Sequence, residues 1–412
     1  MTIDTNTFIR DKFAEFYEKE SNRIEAPISI EKREFGFFLF KERIMVRHKR
    51  FSTIEELRSF LKQIVPAHVY YSAAYYEKPE EKMEEKGWLG ADIYFDIDAD
   101  HIPTKCAKIH DIWTCSSCGF NDKGIPPEKC PYCGNRNFDE KTWPCEVCLE
   151  SAKRETIKLI GMLTEDFGFS SNDVKVSFSG HRGYHVHIEG EEVQEMDSVE
   201  RKEMVDYITG SGIEARFHGL EEGYGGSRIL SGPNLDDFGW RGRIAKGTYE
   251  FLLTATNEDL KNLGLKRNVI KDIIMNRDAV LKSWETKGPW GIIKGLGLEG
   301  WRAIMQKSIE HQSAKIDTVV TTDIHRLIRL TNTLHGKTGL MKVAFPANEI
   351  EQFDPFKRAI AFKEGTITLF IEEAPEFRLE EETFGPFKKQ RVELPLAAAL
   401  LLLCKDIAWV AK

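Results

Sequence analysis

The sequence predicts an α+β fold carrying two insertions, and three observations lead there. Segments with apolar residues at helical spacing are interleaved with segments whose apolar residues recur at every second position. A cysteine-rich stretch from Cys106 to Cys148 interrupts them with few aliphatic residues. Residues 195–310 then keep a helical pattern with many charges and several Trp. The 412 residues suit two or three domains at about 150 residues each. A hydrophobic content of 41%, with 26 Phe and 8 Trp, excludes a disordered chain. The net charge of −8 excludes a protein that coats nucleic acid by bulk charge, though not a local basic groove.

In chain order, Ile9, Phe13 and Phe16 predict an amphipathic helix over 5–20. Glu34 to Val46 reads as a hairpin turning at Lys41 to Arg43. Thr53 to Val65 reads as a helix, with Thr53 as cap, Glu56 three residues on, and Leu57, Phe60 and Leu61 on one face. Glu155 to Phe167 is expected to be helical, and Val174 to Ile188 to form two strands around a tight turn. Ile316 to Val320 looks strand-like, and Thr322 to Leu330 reads as a short helix with Ile324, Leu327 and Ile328 on one face. Six Glu between Glu372 and Glu382 suggest a solvated edge or loop. The apolar run Leu394 to Cys404 is about half the roughly 20 residues of a membrane span, and Pro395 opens it as a buried helix. Asp4, Arg10, Asp11 and Lys12 argue against a secretory signal, so the expected compartment is the cytoplasm, where eight Cys point to metal rather than disulfides.

The sharpest local signal is Ala91-Asp92-Ile93-Tyr94-Phe95-Asp96-Ile97-Asp98. On a strand Ile93, Phe95 and Ile97 face one way and Asp96 and Asp98 the other. Two carboxylates on one strand face can share a pair of divalent cations, an arrangement suited to phosphoryl transfer. An acidic strand end facing water is the plain alternative. In Ser177 to His187, two Gly permit a tight turn whose amides, with Ser179, Arg182 and His185, can grip a phosphate. An exposed hairpin, or a His185/His187 metal pair, is the other reading. Leu334-His335-Gly336-Lys337-Thr338-Gly339 shares Gly-Lys-Thr with phosphate loops, but Thr331 stands where a Walker A loop has Gly. Gly295 to Gly300 matches G-x-G-x-x-G without a strand before it, which excludes a dinucleotide fingerprint.

Cys115-x-x-Cys118 and Cys130-x-x-Cys133, each followed by Gly, form a four-cysteine zinc site. Cys106, His110, Cys145 and Cys148 remain as ligands for a second tetrahedral site, or a partial one. Cys404 is a core thiol. Lys41, Arg43, Arg47, Lys49 and Arg50 make one basic cluster, and Lys266, Arg267, Lys271 and Arg277 another. Either is a phosphate-binding face or a plain solvated one.

Together these motifs resemble the catalytic small subunit of the archaeal and eukaryotic DNA primase family. The matching pieces stand in family order: Arg33-Glu34-Phe35, Asp96-x-Asp98, the zinc segment, Ser179 to His185, His335 to Gly339, and Phe353-Asp-Pro-Phe356. The resemblance implies a two-layer α/β primase catalytic domain with a mixed sheet, an inserted zinc-binding module and a helical insertion. On that basis residues 1–104, 151–192 and 311–412 make the catalytic core, the last part with the C-terminal helix. Residues 105–150 make the zinc-binding insertion and 193–310 the helical one. The resemblance supplies a third metal carboxylate, Asp317, eighteen residues before His335. Asp323 is its rival, already occupied as the expected cap of the 322–330 helix. By the same matching Arg47, Ser179, Arg182, His185, His335 and Lys337 bind the incoming nucleotide.

A single zinc knuckle is what the resemblance implies, and Cys106, His110, Cys145 and Cys148 fit it. The Cys115/Cys118/Cys130/Cys133 ribbon is then an addition. The implied activity is synthesis of short primers on single-stranded DNA from NTPs or dNTPs during replication. Two Mg²⁺ or Mn²⁺ ions on Asp96, Asp98 and Asp317 serve it, beside two structural Zn²⁺. The implied partner is a primase large subunit carrying an iron–sulfur cluster. A repair-type primase-polymerase without that subunit, or a non-catalytic zinc-ribbon DNA-binding protein, are the alternatives.

Overall fold

The computed structural model describes residues 4–40, 45–222, 229–286 and 288–411. It divides into two units: Met1–Ile160, Ser170–Lys202 and Lys315–Lys412 form one, and Gly161–Phe169 with Glu203–Ala314 the other. The second unit thus takes the stretch 161–169 and starts ten residues later than the expected insertion at 193–310.

The first unit opens with α1 (Thr5–Glu20), capped by Asp4, whose buried face is Ile9, Phe13, Phe16 and Tyr17. Then follow β1 (Phe35–Phe38), β2 (Met45–Lys49), α2 (Ile54–Ile64) and β3 (His68–Ser72). The Thr53 hydroxyl accepts from the Glu56 amide at 3.3 Å, the cap that the sequence signals. The turn of the first hairpin, with Lys41 and Arg43, lies outside the described residues, but β1 and β2 pair antiparallel. Phe35 and Phe37 on β1 meet Phe51, and Phe37 also packs against Phe60 of α2, edge-on.

Next come β4 (Ile93–Asp98), α3 (Glu146–Glu165), β5 (Val174–Phe178) and β6 (Gly183–Ile188). Beyond residue 314 lie α4 (Thr318–Thr322), β7 (Leu327–Arg329), β8 (Val343–Pro346), β9 (Thr366–Ala374), β10 (Phe387–Pro395), α5 (Leu396–Cys404) and β11 (Ala408–Val410). The strands form two four-stranded sheets, ordered β7-β3-β1-β2 and β8-β5-β6-β4, and a three-stranded sheet β10-β9-β11. Every strand pairing in these sheets is antiparallel, against the single mixed sheet expected. β5 and β6 are joined by a tight turn, which makes their pairing antiparallel, and β4 pairs antiparallel with β6 although α3 lies between β4 and β5 in the chain.

Two local expectations around residue 320 are corrected. Residues 318–322 are helical rather than extended, and the expected 322–330 helix gives way to β7. The spacing of Ile324, Leu327 and Ile328 fits a helix, but β3 offers an open edge, and Leu327 to Arg329 pair with Ser72 to Tyr70. Asp317, not Asp323, therefore caps a helix, its carboxylate accepting from the Val319 amide at 3.0 Å. Asp323 follows that helix and accepts from the His325 amide. The C-terminal apolar run forms buried α5, as its composition demands.

In the second unit the helices Gly239–Thr254 and Gly297–Gln312 pack closely, Gly247 lying where a Cβ would come within 3.0 Å of Ser308. Trp290 and Trp301 meet edge-on at 4.8 Å beside them.

The cysteine segment is tied to the first unit by Arg182, in the β5–β6 turn. Its side chain is 1% exposed and forms ion pairs with Asp100 at 2.6 Å and Asp111 at 2.9 Å, and a hydrogen bond to the Cys148 sulfur at 3.2 Å. Burial opposes its charge, yet Asp100 and Asp111 raise its pKa above the ordinary value. Removing it strands the buried Asp111 carboxylate and the partly buried Asp100. Arg182→Ala should therefore lower stability by about 3–5 kcal/mol, read as a fall in denaturant midpoint. A change below about 1 kcal/mol would show that water replaces the guanidinium readily.

Candidate active site

β4 alternates as its sequence requires: Ile93, Phe95 and Ile97 are wholly buried, while Asp96 and Asp98 face a cavity of about 160 Å³. Cross-strand pairing sets His185 opposite Asp96 and Gly183 opposite Asp98. A Cβ at Gly183 would stand 2.2 Å from the Ile97 carbonyl oxygen, so only glycine lets the turn approach this close. The turn is held by the Ser179 hydroxyl, which accepts from the amides of His181 and Gly183 at 3.2 Å each. Gly180 packs on the 335–340 loop, where the Thr338 hydroxyl donates to its carbonyl at 2.6 Å. In this way segments about 150 residues apart come together, and Ser179, His181, His185 and His335 line the same cavity.

Asp317 arrives by a backbone contact: its amide donates to the Asp96 carbonyl at 2.8 Å. Burial, then Asp98 and Asp317, push the Asp96 pKa up to about 7. Asp98 and Asp317 are thus near enough to act on Asp96 through their charges, and carboxylates are donors for hard divalent cations. The opposite wall is cationic. Arg326 and Arg329 line the cavity, and Lys342 donates to the Tyr94 hydroxyl at 2.5 Å. Tyr94 in turn faces His185 Nδ1 at 3.0 Å, and His185 Nε2 stands 3.4 Å from Asp96. With Lys342 as an ammonium, which only donates, the chain of contacts runs from Lys342 through the Tyr94 hydroxyl to Nδ1 and leaves Nε2–H towards the carboxylate. Burial, then Arg329, hold Lys342 down to about 7. Burial also keeps His181, His185 and His335 well below the usual imidazole range.

Not every expected residue is here. Arg182 is committed to Asp100, Asp111 and Cys148 and is absent from the cavity lining. Arg47, on β2, is paired in two hydrogen bonds to the buried Glu34 at 2.9 and 3.2 Å. Lys337 is exposed on the 335–339 loop and acts on His181 and His335's neighbour His68 through its charge. Lys49 is exposed, as are Lys266, Arg267 and Lys271 of the second unit. Conversely, Tyr94, His181, Arg326, Arg329 and Lys342 were not anticipated. Placing Arg326 to Arg329 on a helix hid the two arginines, and nothing local marks Lys342 as buried.

The two cysteine groups assemble as the spacing predicts: Cys106, His110, Cys145 and Cys148 in one, Cys115, Cys118, Cys130 and Cys133 in the other. All are free thiols, with Cys106 and Cys148 sulfurs 3.3 Å apart and Cys115 and Cys133 sulfurs 3.5 Å apart. That is too far for a disulfide and near the ~3.8 Å edge of a tetrahedron with ~2.3 Å metal–sulfur bonds. Asp111 sits 2.7 Å from His110 Nδ1 and leaves Nε2 directed at Cys145, 3.2 Å away. Such a carboxylate orients a metal-binding imidazole. His185 and His187 do not pair. Asp92 is 3.2 Å from His187, and bound also by Arg33 at 2.6 Å and Tyr75 at 2.8 Å, a filled polar network.

The raised Asp96 has a consequence for stability. Its folded pKa near 7 exceeds an unfolded value of about 3.9, so the folded chain binds the proton more tightly and loses stability as pH rises between the two. Asp96→Asn removes that penalty. In buffer without added divalent ions it should stabilise the protein at pH 8 by roughly 1–3 kcal/mol and leave it unchanged near pH 4. Equal thermal shifts at both pH values would show that the carboxylate is solvated.

The family model described as DNA primase small subunit matches residues 133–346. DNA primase small subunit PriS of Methanothrix thermoacetophila is 33% identical over 438 residues, covering 100% of both chains. The protein of the same name from Archaeoglobus fulgidus is 34% identical over 98% of each chain, and that of Nitrosopumilus maritimus 30% identical over 98% of each. The chain therefore belongs to the DNA primase small-subunit family, a family of DNA-directed nucleotidyltransferases.

Proposed function

We propose that this chain is the catalytic subunit of a primase and makes short primers on single-stranded DNA from NTPs or dNTPs during replication. The observation that carries the reading is that Asp96 and Asp98 share one small cavity with Arg326 and Arg329, while the Asp317 amide is bonded to the Asp96 carbonyl and its charge acts on the Asp96 carboxyl. Asp96, Asp98 and Asp317 would hold Mg²⁺ or Mn²⁺ ions, which when bound activate a 3′-hydroxyl and neutralise the departing pyrophosphate. Ser179, His185, His335 and Lys337 bind the nucleotide, joined by Arg326 and Arg329. Arg182 and Arg47 leave that set, because their guanidiniums are occupied by carboxylates.

His185 keeps Asp96 company through Nε2–H and is itself fixed by Tyr94 and Lys342. The basic residues balance the phosphate charge in a sheltered place, where such contacts are strongest. Both cysteine groups would hold structural Zn²⁺ in an inserted zinc-binding module, and the second unit is the helical insertion. Residues 1–104, 151–192 and 311–412 are read as the catalytic core. The relatives are named small subunits, which supports a large-subunit partner here, with the iron–sulfur cluster that the resemblance implies. No helix among the described residues is long and apolar enough to cross a membrane, and a cytoplasmic place at replication sites is the reading that goes with this activity.

Incorporation of labelled nucleotide on unprimed single-stranded DNA, with and without a large subunit, tests the reading. Asp96→Asn, Asp98→Asn and Asp317→Asn should each lose synthesis roughly a thousand-fold, about 4 kcal/mol of transition-state stabilisation, while staying folded. Asp323→Asn should keep it. Substantial synthesis by any of the first three at saturating Mn²⁺ would remove that residue from the ligand set. Elemental analysis of the folded chain should find two zinc equivalents, one for each cysteine group. One equivalent would leave the ribbon without its metal.

A further inference from the structure

Three histidines stand beside the cavity in one connected group. His181 and His335 are stacked at 5.0 Å with rings 9° apart, and His68 meets His335 edge-on at 4.8 Å. Each ring accepts a hydrogen bond from a group that donates. The Lys337 amide donates to His335 Nδ1 at 3.1 Å. The Gly336 amide donates to His68 Nδ1 at 3.3 Å, and the Arg329 guanidinium lies 2.5 Å from the same nitrogen. His181 differs: its Nε2 is 2.7 Å from the Lys405 amine. In a neutral imidazole one nitrogen accepts and the other carries the proton. His335 and His68 are thus fixed as Nε2–H donors, and His181 as an Nδ1–H donor.

We propose that Lys405 is a positioning residue for the nucleotide: from the end of α5 it fixes the His181 tautomer, so that the ring presents an N–H donor to the phosphates. The inference rests on the nucleotide-binding reading given above. Lys405 is suited to the task because its amine is itself pinned, donating to the Thr142 carbonyl at 2.7 Å. Its carrier, α5, is apolar throughout and buried. A neutral donor adds hydrogen bonding without further crowding a wall that already holds Arg329 and Lys337. Burial, then Lys337 and Arg182, bring the Lys405 pKa down to about 7, with Asp100 opposing. A polyanion in the cavity offsets that repulsion and favours the ammonium form that sets the tautomer. Nothing in the 179–185 motif reveals this. The residue that sets its third position lies more than 220 positions along the chain.

The test uses the full chain with ¹⁵N-labelled histidine, and ATP and dATP as probes. In the wild type the His181 resonance should report a protonated Nδ1 and a bare Nε2. Lys405→Met should release the ring to a mixture of tautomers, weaken ATP and dATP binding about ten-fold and raise KM alike, with kcat changed by less than about two-fold. Lys405→Arg, which also only donates, should restore both spectrum and affinity. His181→Asn places an amide nitrogen near the Nδ1 position, so its KM should become indifferent to Lys405→Met. Should Lys405→Met fold poorly, Lys405→Arg serves in its place: loss of the wild-type His181 tautomer or of nucleotide affinity in that variant would overturn the proposal. Unchanged nucleotide affinity in Lys405→Met, or an unchanged His181 tautomer, would overturn the proposal. Binding and spectrum need no turnover, so they test the role of Lys405 independently of synthesis. Failure of the wild type to incorporate any nucleotide would overturn the functional reading instead.

Discussion

One buried guanidinium makes the first unit a single structure. Arg182 closes the turn between the two central strands of the carboxylate-bearing sheet, and its partners come from three directions. Asp100 follows directly on β4, Asp111 orients His110, and Cys148 belongs to the same ligand group at the start of α3. Loss of any of these leaves a charge in a place that water does not reach. The cysteine segment has only a small aromatic core, Trp113 with Phe120 and Phe138, beside two cysteine groups that could hold metal, and Arg182 seats it. The catalytic strand end and the metal-binding segment therefore share one ion-pair network. The side chain that joins them is 1% exposed.

The cavity is organised around charges that oppose one another without cancelling. Burial, then its fellow carboxylates, push the Asp96 pKa up to about 7, while burial, then Arg329, bring Lys342 down to about 7. Burial keeps the histidines beside them uncharged; backbone amides donate to His335 and His68, and the Lys405 amine faces His181. Such a site is prepared for a ligand of high charge density, because the cost of gathering like charges has been met by the fold. Metal ions at the carboxylates and a polyanion beside Arg326 and Arg329 would relieve that cost together.

Much of this was legible in the sequence where a local pattern carried the information. The alternation from Ile93 to Asp98 fixed which side chains face the cavity, and the Cys-x-x-Cys pairs announced their own grouping. The 322–330 segment misled because three apolar residues satisfy a helical spacing as well as a strand edge, and only β3, some 255 residues earlier, decides between them. Arg182 was misjudged for a related reason. In a glycine-rich turn an arginine reads as a phosphate ligand, and the two aspartates that claim it are invisible until the chain folds. Lys342, Arg329 and Lys405 escaped notice because a buried cation looks like any surface cation in a sequence. The zinc segment was the easier part, since metal ligands must be chemically explicit.

β4 is the outermost strand of its sheet, and an outermost strand exposes hydrogen-bonding groups to which stray chains can add. Here the Asp96 carbonyl on that rim is capped by the Asp317 amide. The same contact that blunts an aggregation-prone rim also delivers the third carboxylate. The position of Asp317 is thus set by a backbone bond to its own neighbour in the site, whatever length of chain intervenes. More than 120 residues separate the end of β6 from Asp317, including most of the second unit. That intervening stretch can lengthen, shorten or be remodelled without redesign of the carboxylate corner, provided the returning segment, which caps α4 with Asp317, finds the rim.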